Sequence, residues 1–481
     1  MLNPCRAPAR LNVAPSAILS AMLLAMLPAI PSAISSTIPR VTRSSGPTAR
    51  RSAILPAMLN IVLTAILISS AKTTAQSIAI TRENDAVSYH GYKLYRASVF
   101  PGQLPIVDSL DGADGVEIWN WLYKPDNFTY EMDVLSAPER DKQVKEVFDD
   151  VQLKYDVVID DLQKEIETEN VNEGFLLDNR NGHPMSWESY HSFEDMETYM
   201  YYLEQTYPDY VTVLNIGSSF EGRDLLVVKV STSDSGNTSR PAIWVDGGMH
   251  AREWVSPAVV SYLLQRLVEI PDNYTSIVDA FDWYIMPMVN PDGYEYSRTH
   301  DRLWRKTRSK HHDSPCFGAD LNRNFGYMWN SGGSSGDPCS DIFRGVKPFS
   351  EPESRALRDF LLLHRDQLKV YVSIHAYKQL WMYPWGHTNE TSKQIRHRVL
   401  KCDFETVKYH HGRMADLLYV ISGSSNDYAH GHLGIPYSFA LELRDRGEHG
   451  YLLPRDQIEP TAEETTIGLF AMAQEVAHEL Q

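Results

Sequence analysis

The amino-acid sequence predicts an α/β protein with a mixed, largely parallel sheet flanked by helices over residues 181–481, a smaller acidic unit over 76–180, and a basic leader over 1–75. Three observations support this. Largely apolar runs at Leu225–Val230, Ala242–Val245, Trp283–Val289, Leu368–Ile374 and Tyr437–Leu443 read as strands buried on both faces. Amphipathic helical stretches alternate with those runs, as in a sheet covered on both sides. The charge changes sign along the chain: residues 1–82 hold eight basic side chains and no acidic one, yet the whole chain carries a formal −17.

That acidic balance argues against nucleic acid as a partner, since nucleic-acid binding needs a basic face to displace counterions. In the leader, Arg50 and Arg51 precede the apolar run Ile61–Ile68, and the small residues Ala71, Thr73 and Ala75 follow it. Basic, apolar, then small is the order of a secretory signal. Residues 52–75 are the expected signal proper, and the protein is expected to be secreted and extracellular. Neither that run nor Ala17–Ile30 reaches the roughly 20 residues of a membrane span, so no stable membrane insertion is expected. Sequons at Asn127, Asn237, Asn273 and Asn389 fit a secreted glycoprotein. Cys5 leaves with the leader, Cys316 and Cys339 flank a Gly/Ser-rich loop as the expected disulfide, and Cys402 reads as a buried apolar thiol.

The acidic unit alternates strand-like runs (Val116–Trp119) with helical patches such as Ala137–Phe148, and holds no cluster suited to chemistry. An Asn/Gly/Pro-rich linker over 177–184 follows, and its one basic residue, Arg180, is an expected site of tryptic nicking. Ser192-x-x-Asp195 is a capping box, after which Met196, Tyr199, Met200, Leu203 and Tyr207 share a helical face. A second helix is expected from Ser256, and a last one after Pro460, capped by Thr461-x-x-Glu464.

The strand Ala242–Val245 runs into Asp246-Gly247-Gly248-Met249-His250-Ala251-Arg252-Glu253. A His and a carboxylate three apart at a strand's carboxyl end can face one point in the crevice where open α/β sheets bind ligands. His375 ends another buried strand; two His and one Glu make a catalytic zinc set that leaves the fourth position for water. Singly, each has a bland alternative, a solvated surface pair or a satisfied core histidine.

The strings HAREW (250–254), NPDGY (290–294), RLWRKTRS (302–309), DLNRNF (320–325), SIHAY (373–377) and ELRD (442–445) resemble the zinc metallocarboxypeptidases of the pancreatic A/B type over about residues 186–481. The resemblance implies a carboxypeptidase-like fold preceded by a small α+β, ferredoxin-like activation domain, released by a trypsin-like protease cutting near Arg180. It implies one zinc ion on His250, Glu253 and His375, with Asp320 behind His250, Glu442 as general base and Arg305 as oxyanion stabiliser. Asn322, Arg323 and Tyr419 would hold the terminal carboxylate of a peptide or protein substrate, and Arg252, Tyr377 and Tyr451 would line upstream subsites. The side-chain pocket would comprise Met382, Gly386, Met414, Leu418, Ile421, Asn426 and Ala440, which favours aromatic or aliphatic C-terminal residues. Asn426 stands where the family is usually apolar (A-type) or acidic (B-type), and one extra residue lies between Asp427 and Gly434. A monomer is the family expectation.

Two rival readings compete with this one. Gly332-Gly333-Ser334-Ser335-Gly336 matches a serine-hydrolase elbow but lacks the strand before and helix after that the elbow needs. A binding protein that grips C-terminal peptides without cleaving them would be favoured by a missing ligand or base, and none is missing. His430-x-His432 has no evident third metal ligand.

Overall fold

The computed structural model describes residues 86–110, 114–124, 128–170, 182–232, 240–269, 275–388 and 408–480. The leader, Arg180, Cys402 and all four sequon asparagines lie outside them.

The N-terminal module runs β1 (Lys93–Val99), α1 (Leu104–Asp108), β2 (Val116–Lys124), β3 (Thr129–Ser136), α2 (Asp141–Asp150), β4 (Lys154–Ile159) and α3 (Leu162–Glu169). Its antiparallel sheet has the order β2-β3-β1-β4, the βαββαβ arrangement of ferredoxin-like folds. Val144 and Phe148 of α2 pack on Tyr95, Ala97, Met132 and Val134. The helix starts at Asp141 rather than Ala137, because the Ala137 N–H still bonds Gly115 O as an extension of the strand.

The C-terminal module contains α4 (Phe193–Thr206), β5 (Val211–Ser218), β6 (Asp224–Val230), β7 (Ala242–Asp246), α5 (Val255–Val268), α6 (Thr275–Ala280), β8 (Asp282–Met286), α7 (Pro291–Thr299), α8 (Pro352–His364), β9 (Leu368–His375), β10 (Leu380–Tyr383), β11 (His410–Arg413), α9 (Met414–Leu417), α10 (Ser425–Gly431), β12 (Tyr437–Glu442) and α11 (Ile458–Glu479). The sheet order is β11-β10-β12-β9-β7-β8-β6-β5. Its centre, β12-β9-β7-β8, is parallel, and antiparallel pairings join it to both flanks. Every residue of β7 and β8 is buried, as two-sided coverage requires. The capping box at Ser192 and Asp195 is formed at the start of α4.

A second helix start differs from expectation. α11 begins at Ile458, with Pro460 inside its first turn, where the missing N–H is no loss. Thr461 Oγ1 donates to Gln457 O and Glu464 pairs with Arg444, so neither residue caps the helix. Among the described residues no helix is long and apolar enough to cross a membrane.

Register decides where the chemistry sits. Asp246 of β7 pairs with Ser373 of β9, and His375 of β9 pairs with Glu442 of β12. The carboxyl ends of three adjacent parallel strands therefore open on one crevice, the position where α/β sheets bind ligands.

Candidate active site

His250 and Glu253 follow β7 on a tight connection, and His375 is the last residue of β9. The connection is built around Gly247 and Gly248: a Cβ on Gly248, whose φ is +65°, would lie 2.6 Å from Met288 Sδ. His250 Nδ1 lies 2.7 Å from Glu253 Oε1, and His375 Nδ1 lies 3.1 Å from His250 Nδ1 and 3.2 Å from Glu253 Oε2. The three ligand atoms all lie within 4.8 Å of one another, on buried side chains, and form the one such group among the described residues. Two imidazoles and one carboxylate are the donor set of a catalytic zinc centre, so the residues fit the ion.

Each histidine is held from behind. His250 Nε2 lies 3.2 Å from Asp320 Oδ1, as expected. His375 Nε2 lies 3.1 Å from Ser373 Oγ, which donates to Asp246 Oδ1 at 2.7 Å. The one sequence signal of this second relay is that Ser373 and His375, two apart on a strand, share a face. Asp320 Oδ2 also accepts from Arg305 Nε and Nη2 at 3.1 and 2.9 Å. Burial alone would raise the Asp320 carboxyl, but Arg305, Arg323 and His250 outweigh it and hold the group well below the usual carboxylate range. Arg305 Nη1 is 3.6 Å from Glu253 Oε1, at the edge of the cluster.

Glu442 closes β12 beside His375 and lines the same cleft of about 1220 Å³. Burial and the Glu253 carboxylate push it up to about 7. Further along, Arg323 is buried, donating from Nη2 to the Tyr419 hydroxyl at 3.1 Å and from Nε to Gly333 O at 2.9 Å. Asn322 Oδ1 accepts from Ser425 N at 2.9 Å, which fixes its amide. Met382, Met414, Leu418, Ile421 and Ala440 line this end of the cleft. Gly386 lies against Met414 of that wall, and Asn426 is fully buried with neither amide atom hydrogen-bonded.

The N-terminal module covers the opposite end. Glu117 of β2 accepts from Arg252 Nη1 at 2.5 Å, and Asp133 of β3 accepts from the Tyr377 hydroxyl at 3.2 Å. Trp119 packs edge-on against Tyr451, ring centroids 5.1 Å apart. At the exit of α3, Glu169 forms a buried bidentate pair with Arg302, at 2.7 and 2.6 Å. The Cys316–Cys339 disulfide is formed. Ser334 sits in a loop, its hydroxyl 3.2 Å from Ser422 Oγ. His430 and His432 belong to no metal-holding group among the described residues; His432 stacks on Tyr428.

Fold and site together define a zinc hydrolase. Residues 196–468 match the family described as "Zinc carboxypeptidase", and residues 101–169 match "Carboxypeptidase activation peptide". Carboxypeptidase B of Astacus astacus is 40% identical, over 60% of this chain and 97% of that protein. Carboxypeptidase A6 of Mus musculus is 36% identical over 72% of this chain and 82% of its own length. The crystal structure of thrombin activatable fibrinolysis inhibitor superposes with a TM-score of 0.71 at 30% identity, covering 81% of this chain and 99% of that one. The chain belongs to the zinc carboxypeptidase family and carries the family's activation peptide ahead of its catalytic module.

Proposed function

We propose that the protein is a secreted, monomeric procarboxypeptidase that removes aromatic or aliphatic residues from peptide and protein C-termini after a trypsin-like cut near Arg180. The observation behind this reading is the buried Arg323 guanidinium beside Asn322 and Tyr419, at the apolar end of the cleft that also holds the zinc ligands. A planar guanidinium suits a terminal carboxylate, which an internal peptide bond does not offer, and this restricts the enzyme to chain ends.

Bound zinc supplies Lewis-acid chemistry, lowering the pKa of water and polarising a carbonyl. Glu442 takes the proton of the attacking water and returns it to the leaving amine nitrogen. Arg305, oriented by its two hydrogen bonds to Asp320, offers Nη1 to the oxyanion. Asp320 and Ser373 keep the two imidazoles turned toward the ion. Five apolar side chains on the pocket wall favour an uncharged C-terminal residue, since a buried Lys or Arg without a partner costs several kcal/mol. The test is release of free Phe from a blocked peptide after tryptic activation. Release abolished by o-phenanthroline and untouched by a fluorophosphonate is expected; no release would remove the reading.

A further inference from the structure

The upstream half of the cleft holds a cation that the proposed chemistry does not use. Lys378 lines the cleft with Tyr377, Tyr419 and Glu442. It sits on a turn with positive φ at both Lys378 (143°) and Gln379 (55°), pinned by their N–H groups on Leu443 O at 3.0 and 2.9 Å. Such conformations persist only where the surroundings enforce them. Among the described residues Lys378 makes no ion pair of its own; the charged and titratable groups facing it are Glu442, Tyr419, Asp133 and Arg305.

The activation module behaves as a ligand of this half of the cleft. It brings Glu117 to Arg252 and Asp133 to Tyr377, with Asp133 itself held by Arg96 at 2.7 and 2.8 Å. Within its own module Arg252 also has Asp341 at 3.3 Å and the Tyr451 hydroxyl at 3.3 Å. Of the acidic groups facing Lys378, Glu442 is committed to the proton transfer and Asp133 belongs to the activation module. Glu117 thus pairs with Arg252, and Asp133 is among the charged groups facing Lys378.

We infer that the mature enzyme selects peptides with an acidic residue immediately upstream of the scissile bond, and that Lys378 is the specificity-determining residue that reads it. This rests on the proposed carboxypeptidase activity. The experiment compares two blocked peptides ending in Glu-Phe and Gln-Phe, which differ in charge and hardly in shape, by kcat/KM and by calorimetric binding to the activated protein. The Glu peptide is expected to lead about fivefold to tenfold at low salt and less at high salt. Lys378→Met should bring the ratio to about one, and Lys378→Arg should preserve it. A ratio of one in the unsubstituted enzyme, or a ratio that Lys378→Met leaves unchanged, would overturn the inference while leaving the carboxypeptidase reading intact. Hydrolysis of neither peptide would defeat that reading, and the binding ratio would still decide the role of Lys378.

Discussion

Asp246 Oδ1 accepts a 2.7 Å hydrogen bond from Ser373 Oγ, and that hydroxyl lies 3.1 Å from His375 Nε2. Two strands paired in register thus fix the ring of a metal ligand from beneath, with Trp244 Nε1 completing the Asp246 carboxylate at 2.7 Å. Partners of this kind set ligand orientation and basicity.

Ser373→Ala removes the link without altering the ligands. Zinc affinity should fall about 10- to 100-fold, read by competition against a chromogenic chelator. Unchanged affinity would mean that packing alone orients His375.

Glu442→Gln keeps the shape of the side chain and removes its basicity. Zinc content and peptide binding should persist while kcat falls about 10²- to 10⁴-fold. Near-normal turnover would remove Glu442 as the base.

Asn426→Asp places a carboxylate among buried groups at a position whose amide has no hydrogen-bond partner. The kcat/KM ratio for C-terminal Lys over Phe should rise at least about tenfold, since the new charge supplies the partner a buried cation needs. An unchanged ratio would place the specificity determinant elsewhere.

Glu353 is buried at the start of α8, with Oε1 on Phe220 N at 2.9 Å and Oε2 unpartnered. Burial first, then Glu351 and Asp292, push its carboxyl up to about 8 from 4.5. Between those values the folded protein binds a proton that the unfolded chain does not, so this group's contribution to stability is present below pH 4.5 and is lost as pH rises toward 8. Glu353→Gln should flatten the fall in melting temperature between pH 5 and 8. An equally steep fall in the variant would assign it to other groups.

The core strands were legible because burial on both faces leaves continuous apolar runs, and His250, Glu253 and His375 were legible because they stand where such runs end. The partners were harder to read. Ser373 and Asp246 are 127 residues apart, and Arg302 and Glu169 are 133 apart. Each is an ordinary polar residue whose role is set only by strand register and module docking. The start of α11 differs from expectation for a local reason: Pro460 reads as a boundary, yet the first turn of a helix asks nothing of its N–H.

The Glu169–Arg302 clamp separates scission from liberation. Both partners are buried, and Arg302 also lies over the Trp254 ring and donates to Arg252 O and Tyr451 O. A cut anywhere beyond Asn170 breaks the covalent connection but leaves this grip untouched. The severed fragment would still be held by this desolvated pair together with the Glu117–Arg252 and Asp133–Tyr377 contacts, so scission by itself would not uncover the cleft.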